Sequence, residues 1–352
     1  LFTILLLECV RQFKGERTLS AIYHLFSGKR SAQTLQDAHM YSLTNYFGIL
    51  KSLRRNVFDK QTEILRDKQL IVVNDKGFPF LTHYGTEYLR NYLNQHNLSS
   101  FNGLKYERMS HTFLLRLQLF IQTVSNMEKG INSFIPITDD QETQQWVKLI
   151  YVRNRNKLDS WLEGLYKELY TFLINLSDNE AEIFVDRLTG YQKIGLSKEQ
   201  MARKFNLSYE DVELELIKLT HQLIRHIGEH IENNPFLSNF VQIETDTTFI
   251  TNSAAYTYQL YNKGYGIEEI VRIRNLKEST IQDHLVEIAY VDPNFNVNLF
   301  LSKVQYDQIL KIINEHDTKK LKLIKQLAGN DVDYFQIRLV IATQNLPSER
   351  KS

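Results

Sequence analysis

The chain has 352 residues, too long for one ordinary hydrophobic core and long enough for two or three. Hydrophobic residues at 43% and charged residues at 24% match soluble globular domains and exclude a disordered or membrane-embedded chain. The net charge of +1 conceals an uneven distribution. Residues 1–98 carry 13 Lys and Arg against 8 Asp and Glu, a segment charge of +5, whereas residues 177–248 carry 7 against 13, or −6. Residues 99–176 have 9 against 8 and residues 249–352 have 13 against 12, each +1. A polyanion is drawn to clustered Lys and Arg, so the amino-terminal part is the favoured place for broad DNA contact. The longest apolar run near the start, Ile4 to Leu7, falls far short of the ~20 residues of a membrane span. Cys9 is the lone cysteine, so neither an internal disulfide nor a thiolate zinc cage can form. The expected location is the cytoplasm, in association with the nucleoid.

In residues 1–98, Thr18 is placed to cap a helix carrying Leu19, Ile22, Tyr23 and Phe26, which the polar Ser27–Ser31 stretch ends. A second helix is expected over about Ala38 to Phe47. Gly48 breaks it before a third, in which Leu50, Leu53, Val57, Ile64 and Leu65 keep an approximate 3.6-residue stripe while Lys51, Arg54, Arg55 and Lys60 lie mostly off it. The β-prone runs Leu70–Val73 and Phe78–Leu81 flank Asn74-Asp75-Lys76-Gly77, a turn sequence that predicts a hairpin. Thr82 then caps a helix through Leu93. Three helices followed by a short hairpin is the layout of a winged helix.

Residues 99–176 read as a helical scaffold broken around Ile135–Asp140, where Thr138 or Asp139 supplies the next cap. From Gln141 to Leu176 the residues Trp146, Ile150, Leu158, Trp161, Leu165, Leu169 and Leu173 keep a spacing near 3.6. Residues 177–248 and 249–345 each show a three-helix pattern with a tight turn, the arrangement of helix-turn-helix motifs. In the first, Ser177 or Asp178, Ser197 and the Asn206-Leu207-Ser208 turn mark helix starts. In the second, Ser253 and Ser279 are expected to cap helices on either side of Gly264, Gly266 and the Arg274–Lys277 turn. Residues 299–344 continue as helices with apolar faces that include Val304, Ile309, Leu323, Leu327, Ile337 and Val340, and residues 346–352 form a tail. The expected fold class is mainly α, a multi-domain array of helix-turn-helix units with an amino-terminal winged helix containing one short β-hairpin.

Gly264-Tyr265-Gly266-Ile267-Glu268-Glu269-Ile270, Arg274-Asn275-Leu276 and Ser279-Thr280-Ile281-Gln282-Asp283-His284-Leu285, followed by Tyr334-Phe335-Gln336-Ile337-Arg338-Leu339, resemble the helix-turn-helix domain at the carboxyl end of RecQ-family helicases, over roughly residues 253–344. The whole chain, including Arg17-Thr18 and Ser31-Ala32-Gln33-Thr34, resembles the YpbB family of Firmicutes, which such genomes tend to encode beside a short RecQ helicase. The resemblance implies a companion that supplies accessory DNA-binding modules which the short helicase lacks, and with it a role in DNA repair or recombination. The amino-terminal unit is similar in layout to the winged helix of longer RecQ proteins. Leu196–Ala202 is similar to the DNA-reading end of sigma factors.

The nearest approach to a phosphate loop is Ser27-Gly28-Lys29-Arg30-Ser31, but Arg follows the Lys, Tyr23 stands where the first Gly belongs, and a helix precedes it rather than a strand. ATP hydrolysis is therefore not expected, nor is any other enzyme activity or a cofactor. His226 and His230 lie one helical turn apart, yet Glu229 reverses the zincin order and no third ligand is evident, so no metal is expected. Asp139-Asp140 and Glu268-Glu269 read as helix-start acids. Tyr258 and Tyr261 fall on apolar stripes, and Phe78 beside the wing tip is the aromatic placed to wedge at a base pair.

The expected DNA contacts are Lys51, Arg54, Arg55 and Lys60 on the third helix, Lys76 on the wing, and Lys277, Ser279, Thr280 and Gln282 at the start of the carboxyl-terminal recognition helix. Glu278, Asp283 and Glu287 put acid on that last helix and leave a protein partner equally open. The expected partners are duplex or forked DNA and a RecQ-family helicase, with no membrane and no small-molecule substrate. Two rivals stay open: a transcription regulator, which favours a dimer on a palindromic site, and a structural adaptor between proteins.

Overall fold

The computed structural model describes residues 1–241 and 250–344. In chain order the elements are α1 (Phe2–Phe13), α2 (Leu19–Phe26), α3 (Ala32–Met40), α4 (Arg55–Asp67), the strands β1 (Ile71–Val73) and β2 (Pro79–Leu81), α5 (His83–Leu93), α6 (Gly103–Tyr106), α7 (Ser110–Glu128), α8 (Gln141–Asn154) and α9 (Leu158–Leu173). They continue with α10 (Asp178–Asp186), α11 (Lys198–Phe205), α12 (Tyr209–Glu229), α13 (Asn252–Asn262), α14 (Ile267–Arg274), α15 (Glu278–Val291), α16 (Lys303–His316), α17 (Leu321–Ala328) and α18 (Tyr334–Thr343). The fold is mainly α, and among the described residues its one sheet is the antiparallel β1–β2 hairpin with Val72 opposite Phe80. Among the described residues no helix is long and apolar enough to cross a membrane.

Side-chain oxygens on exposed helix-start amides set many of the boundaries. Ser177 and Ser197 form capping boxes with Glu180 and Gln200, and Ser208 accepts from the Asp211 amide. Four caps differ from the sequence expectation. Thr18 stands at the cap position of α2 but makes no side-chain cap bond. Asp140, not Thr138 or Asp139, accepts from the Thr143 amide, while the Thr138 hydroxyl accepts from the Asp140 amide one turn earlier. Thr251 rather than Ser253 caps α13. Lys277 occupies the cap position of α15 with no side-chain bond, which leaves Ser279 inside the first turn. The second helix also differs: it starts early, because Ser31 caps it, and stops at Met40 before Ser42 turns to φ +56. Apolar periodicity gave no warning, since Thr34, Gln36 and Asp37 are buried in it.

The chain divides into two compact units, each assembled from separated segments. The first takes Leu1–Leu5, Ile49–Leu53 and the described part of Asn91–Thr245. Its core runs from Phe113, Leu117 and Phe120 of α7 through Trp161, Leu165 and Leu169 of α9 to Ile183, Met201, Val212 and Leu219 of the three-helix unit α10–α12. The scaffold and the sigma-like motif therefore bury their apolar faces in one shared core. Within it Phe120 meets Trp161 and Phe240 with ring centroids 5.4 Å apart, and the buried Glu168 carboxylate accepts from the Phe236 and Leu237 amides at 3.0 and 2.7 Å.

The second unit takes Leu6–Gly48, Arg54–Arg90 and the described part of Asp246–Ser352. The winged-helix elements α2–α4 and β1–β2 thus fold with the carboxyl-terminal motif α13–α15. α15 is the helix around which this unit is built: α13, α14, α18 and α3 all pack on it, and Ile281, Leu285, Val286, Ile288 and Ala289 are buried. Ile309, Ile337 and Val340 join the core as expected, whereas Val304, Leu323 and Leu327 face solvent.

Candidate nucleic-acid interface

The third helix of the winged unit begins at Arg55, later than the sequence stripe implied. Residues 47–52 form turns, and Leu50 and Leu53 are buried in this non-helical stretch. Lys51 is consequently not on α4. It belongs to the first unit, where its Nζ pairs with Glu107 at 2.7 Å and donates to the Glu107 carbonyl at 3.0 Å. Arg54 sits at the cap position of α4 and Lys60 on its solvent side, both exposed and without an ion pair among the described residues. Arg55 has structural work instead: it pairs with Asp59 at 2.8 Å, donates to the Ser20 hydroxyl at 3.2 Å and lies over the Tyr23 ring at 5.3 Å. Buried Phe58, Thr62 and Leu65 fix the opposite side of the helix, so the outward side is determined by packing.

Two further exposed cations of α4 escaped the sequence reading. Arg66 and Lys68 close the last turn of α4, exposed and unpaired among the described residues, with Glu63 and Asp67 interleaved among them. The helix continuing to Asp67 was the signal for them, because residues past Ile64 still alternate with the buried stripe. Between α4 and β1 runs a groove of about 400 Å³ lined by Glu63, Arg66, Asp67 and Ile71–Val73.

At the wing, the Asn74 side-chain oxygen accepts from the Lys76 and Phe78 amides at 3.1 and 2.9 Å, and Gly77 takes φ +79, which few other residues adopt without strain. This turn presents Lys76 to solvent at the tip. Phe78 is half-buried beside it. The more exposed apolar pair is Val72 and Phe80, opposite each other on the outer face of the hairpin at 54% and 39% exposure. The Phe80 ring also rests against Gly15, where a Cβ would lie 2.1 Å from its Cζ, so the hairpin is anchored at its base.

The carboxyl-terminal motif has the expected turn: Asn275 adopts the left-handed conformation at φ +49 between α14 and α15. Ile281, Leu285 and Ile288 pack toward α13 and α14, leaving the other side of α15 as the one a recognition helix lays in a major groove. Much of that side is occupied. Asp283 is ion-paired with Arg338 of α18, Glu287 accepts from the Thr251 amide at 2.9 Å, and Tyr290 stacks on His39 of α3 at 4.9 Å. Lys277, Ser279 and Thr280 remain accessible in the first turn, and Gln282 donates to Glu278 at 3.0 Å. Burial pushes the pKa of His39 and His284 down to about 4, which keeps both rings neutral in this interface.

Ser27–Ser31 connects α2 to α3, where Gly28 turns at φ +69 and Ser31 caps the next helix. His226 and His230 have ring centroids 5.2 Å apart, and among the described residues no group of three or more His, Cys, Asp and Glu is placed to hold a metal ion.

Short capped helices, tight left-handed turns and a single wing define the class, a mainly α protein of helix-turn-helix units. A helix-turn-helix domain family matches residues 253–341. Protein YpbB of Bacillus subtilis (strain 168) is 30% identical over 345 residues, 97% of this chain and 97% of that one. The chain belongs to the YpbB family. No solved structure matches it.

Proposed function

We propose that the chain is a non-catalytic DNA-binding accessory protein, working in the cytoplasm at the nucleoid with a RecQ-family helicase in DNA repair or recombination. The observation that supports DNA binding is the set of exposed cations on α4, at its two ends and on the wing tip: Arg54, Lys60, Arg66, Lys68 and Lys76 take no acidic partner among the described residues. Such cations bind phosphates and read no sequence, which suits forks and duplexes of any composition. The helicase partnership rests on the likeness of residues 253–344 to the RecQ carboxyl-terminal domain. A protein-adaptor role is the second reading, favoured by the covering of α15 from Asp283 onward.

The test uses the full chain with unrelated duplexes and a fork at low and moderate salt, then with a RecQ-type helicase that lacks accessory domains. The expected results are salt-sensitive binding without sequence preference, co-purification with the helicase, and changed unwinding. Absence of DNA binding at low salt with helicase capture intact would put the adaptor first. ATP turnover above that of a Lys29→Ala control would overturn the non-catalytic part.

A further inference from the structure

The helical hairpin α8–α9 in the first unit has a tip that neither reading above uses. The sequence Arg153-Asn154-Arg155-Asn156-Lys157 ends α8, forms a 3-10 turn and starts α9. Arg153, Arg155 and Lys157 are all exposed, and none makes an ion pair or side-chain hydrogen bond among the described residues. Some lysines of this unit are neutralised locally, Lys167 by Glu163 at 2.6 Å, Lys198 by Glu213 at 3.1 Å, and Lys204 by Glu182 and Asp186, whereas the tip gathers three unpaired cations within five residues. The nearest acids along the chain are Asp159 in the first turn of α9 and Glu163, which Lys167 already engages.

Folding does not account for the cluster. A cation next to the end of α8 meets favourable carbonyl dipoles, which explains Arg153. Lys157 at the start of α9 meets the opposite sign, and Arg155 adds like charge to both. Further along α9, Tyr166 and Tyr170 project into solvent at 67% and 53% exposure and stack on each other, centroids 5.8 Å apart and planes 20° from parallel. At 1.5 Å per residue Tyr166 lies about 14 Å along the axis from Lys157. The core of this helix is satisfied by Trp161, Leu165, Leu169 and Phe172.

Unpaired cations with exposed rings beyond them are the two parts of a single-strand site: cations take phosphates, and rings take unstacked bases that a duplex does not offer. We propose that the α8–α9 tip is a second nucleic-acid site, binding single-stranded DNA with Arg153, Arg155 and Lys157 on its phosphates and the Tyr166–Tyr170 pair on a base. This extends the DNA-binding reading but uses different residues, different chemistry and a different unit of the chain.

The test compares the full-length wild type, Arg153→Ala/Arg155→Ala/Lys157→Ala, Tyr166→Ala/Tyr170→Ala and, as the matched control, Arg54→Ala/Lys60→Ala. Fluorescent oligothymidylate, a duplex and anionic phospholipid vesicles are the probes, and circular dichroism checks that each variant is folded. The triple variant should flatten the salt slope for oligothymidylate by about 2, so that the wild type loses about 20-fold more affinity than the variant between about 50 and about 200 mM salt. The double-tyrosine variant should weaken oligothymidylate about tenfold with an unchanged slope and leave the duplex untouched. Unchanged oligothymidylate binding in the folded triple variant overturns the inference, as does a loss confined to vesicles. If that happens while the Arg54/Lys60 control weakens duplex binding, the winged-helix reading survives alone. The reverse pattern supports the tip and removes the wing.

Discussion

Replacing Arg54, Lys60 and Lys76 together by alanine should change DNA binding without changing the fold. All three are exposed and unpaired among the described residues, so removing them empties no cavity and leaves no buried group unsatisfied. If each neutralises one phosphate, the loss of three contacts lowers the salt slope for duplex DNA by about 2.7. Between about 50 and about 200 mM salt, the wild type should then lose about 40-fold more affinity than the variant. Fluorescence anisotropy with two unrelated duplexes across a salt series measures this, and both duplexes should respond alike. Arg55→Ala behaves differently, because it removes the Asp59 pair and the stacking on Tyr23: about 1 kcal/mol of stability with a smaller effect on the slope. A folded triple variant with wild-type affinity and slope on both duplexes would refute the assignment of α4 and the wing.

Two further outcomes follow from packing and burial. Gly85→Ala puts a Cβ 1.9 Å from the Leu70 carbonyl oxygen, where α5 crosses the base of the hairpin, and should destabilise the second unit by about 3 kcal/mol in a thermal melt. A Gly85→Ala melt equal to wild type contradicts that close approach. Acidification from pH 7 to 5 should also destabilise the protein. His39 and His284 are held near pKa 4 and His221 near 3 by burial, so an unfolded chain takes up protons below about 6.5 that the folded chain refuses, and stability falls as pH drops through that window. His221, whose Nδ1 accepts from the Asn102 amide, accounts for about 2 kcal/mol of this. Asp37, Glu168 and Glu287, raised by burial, oppose the trend at lower pH. Denaturant midpoints for wild type and His221→Gln at both pH values check it, and equal pH dependence in the two would exclude His221 as a source.

What the sequence conveyed depended on how local the cause was. The hairpin was legible because Asn74 and Gly77 create it within five residues, and the sigma-like helices because Ser177, Ser197 and Ser208 cap them. Lys51 was misplaced on a helix because Leu50 and Leu53 mimic a helical stripe while being buried in a non-helical stretch. α3 was misread for the converse reason, since its buried side includes Thr34, Gln36 and Asp37, which patterning counts as surface. Of the proposed contacts, exposure of Arg54, Lys60, Lys76 and Lys277 could be anticipated from charge alone. The commitment of Arg55 to Ser20 and the occupation of α15 by Arg338 and His39 could not, because the partners are distant in sequence.

The second unit joins residues near both ends of the chain: His39 of α3 reaches its stacking partner only when Tyr290 has been made. During synthesis, the winged-helix segment therefore leaves the ribosome about 200 residues before the helix that completes its core. In the interval α3 has α2 beside it but lacks α15 and α18, so this half waits incomplete while the segment supplying α7–α12 can condense first. Cutting the gene after the wing would make that waiting state permanent. Excising residues 91–245 would not separate the halves cleanly either, because Leu1–Leu5 and Ile49–Leu53 belong to the unit removed.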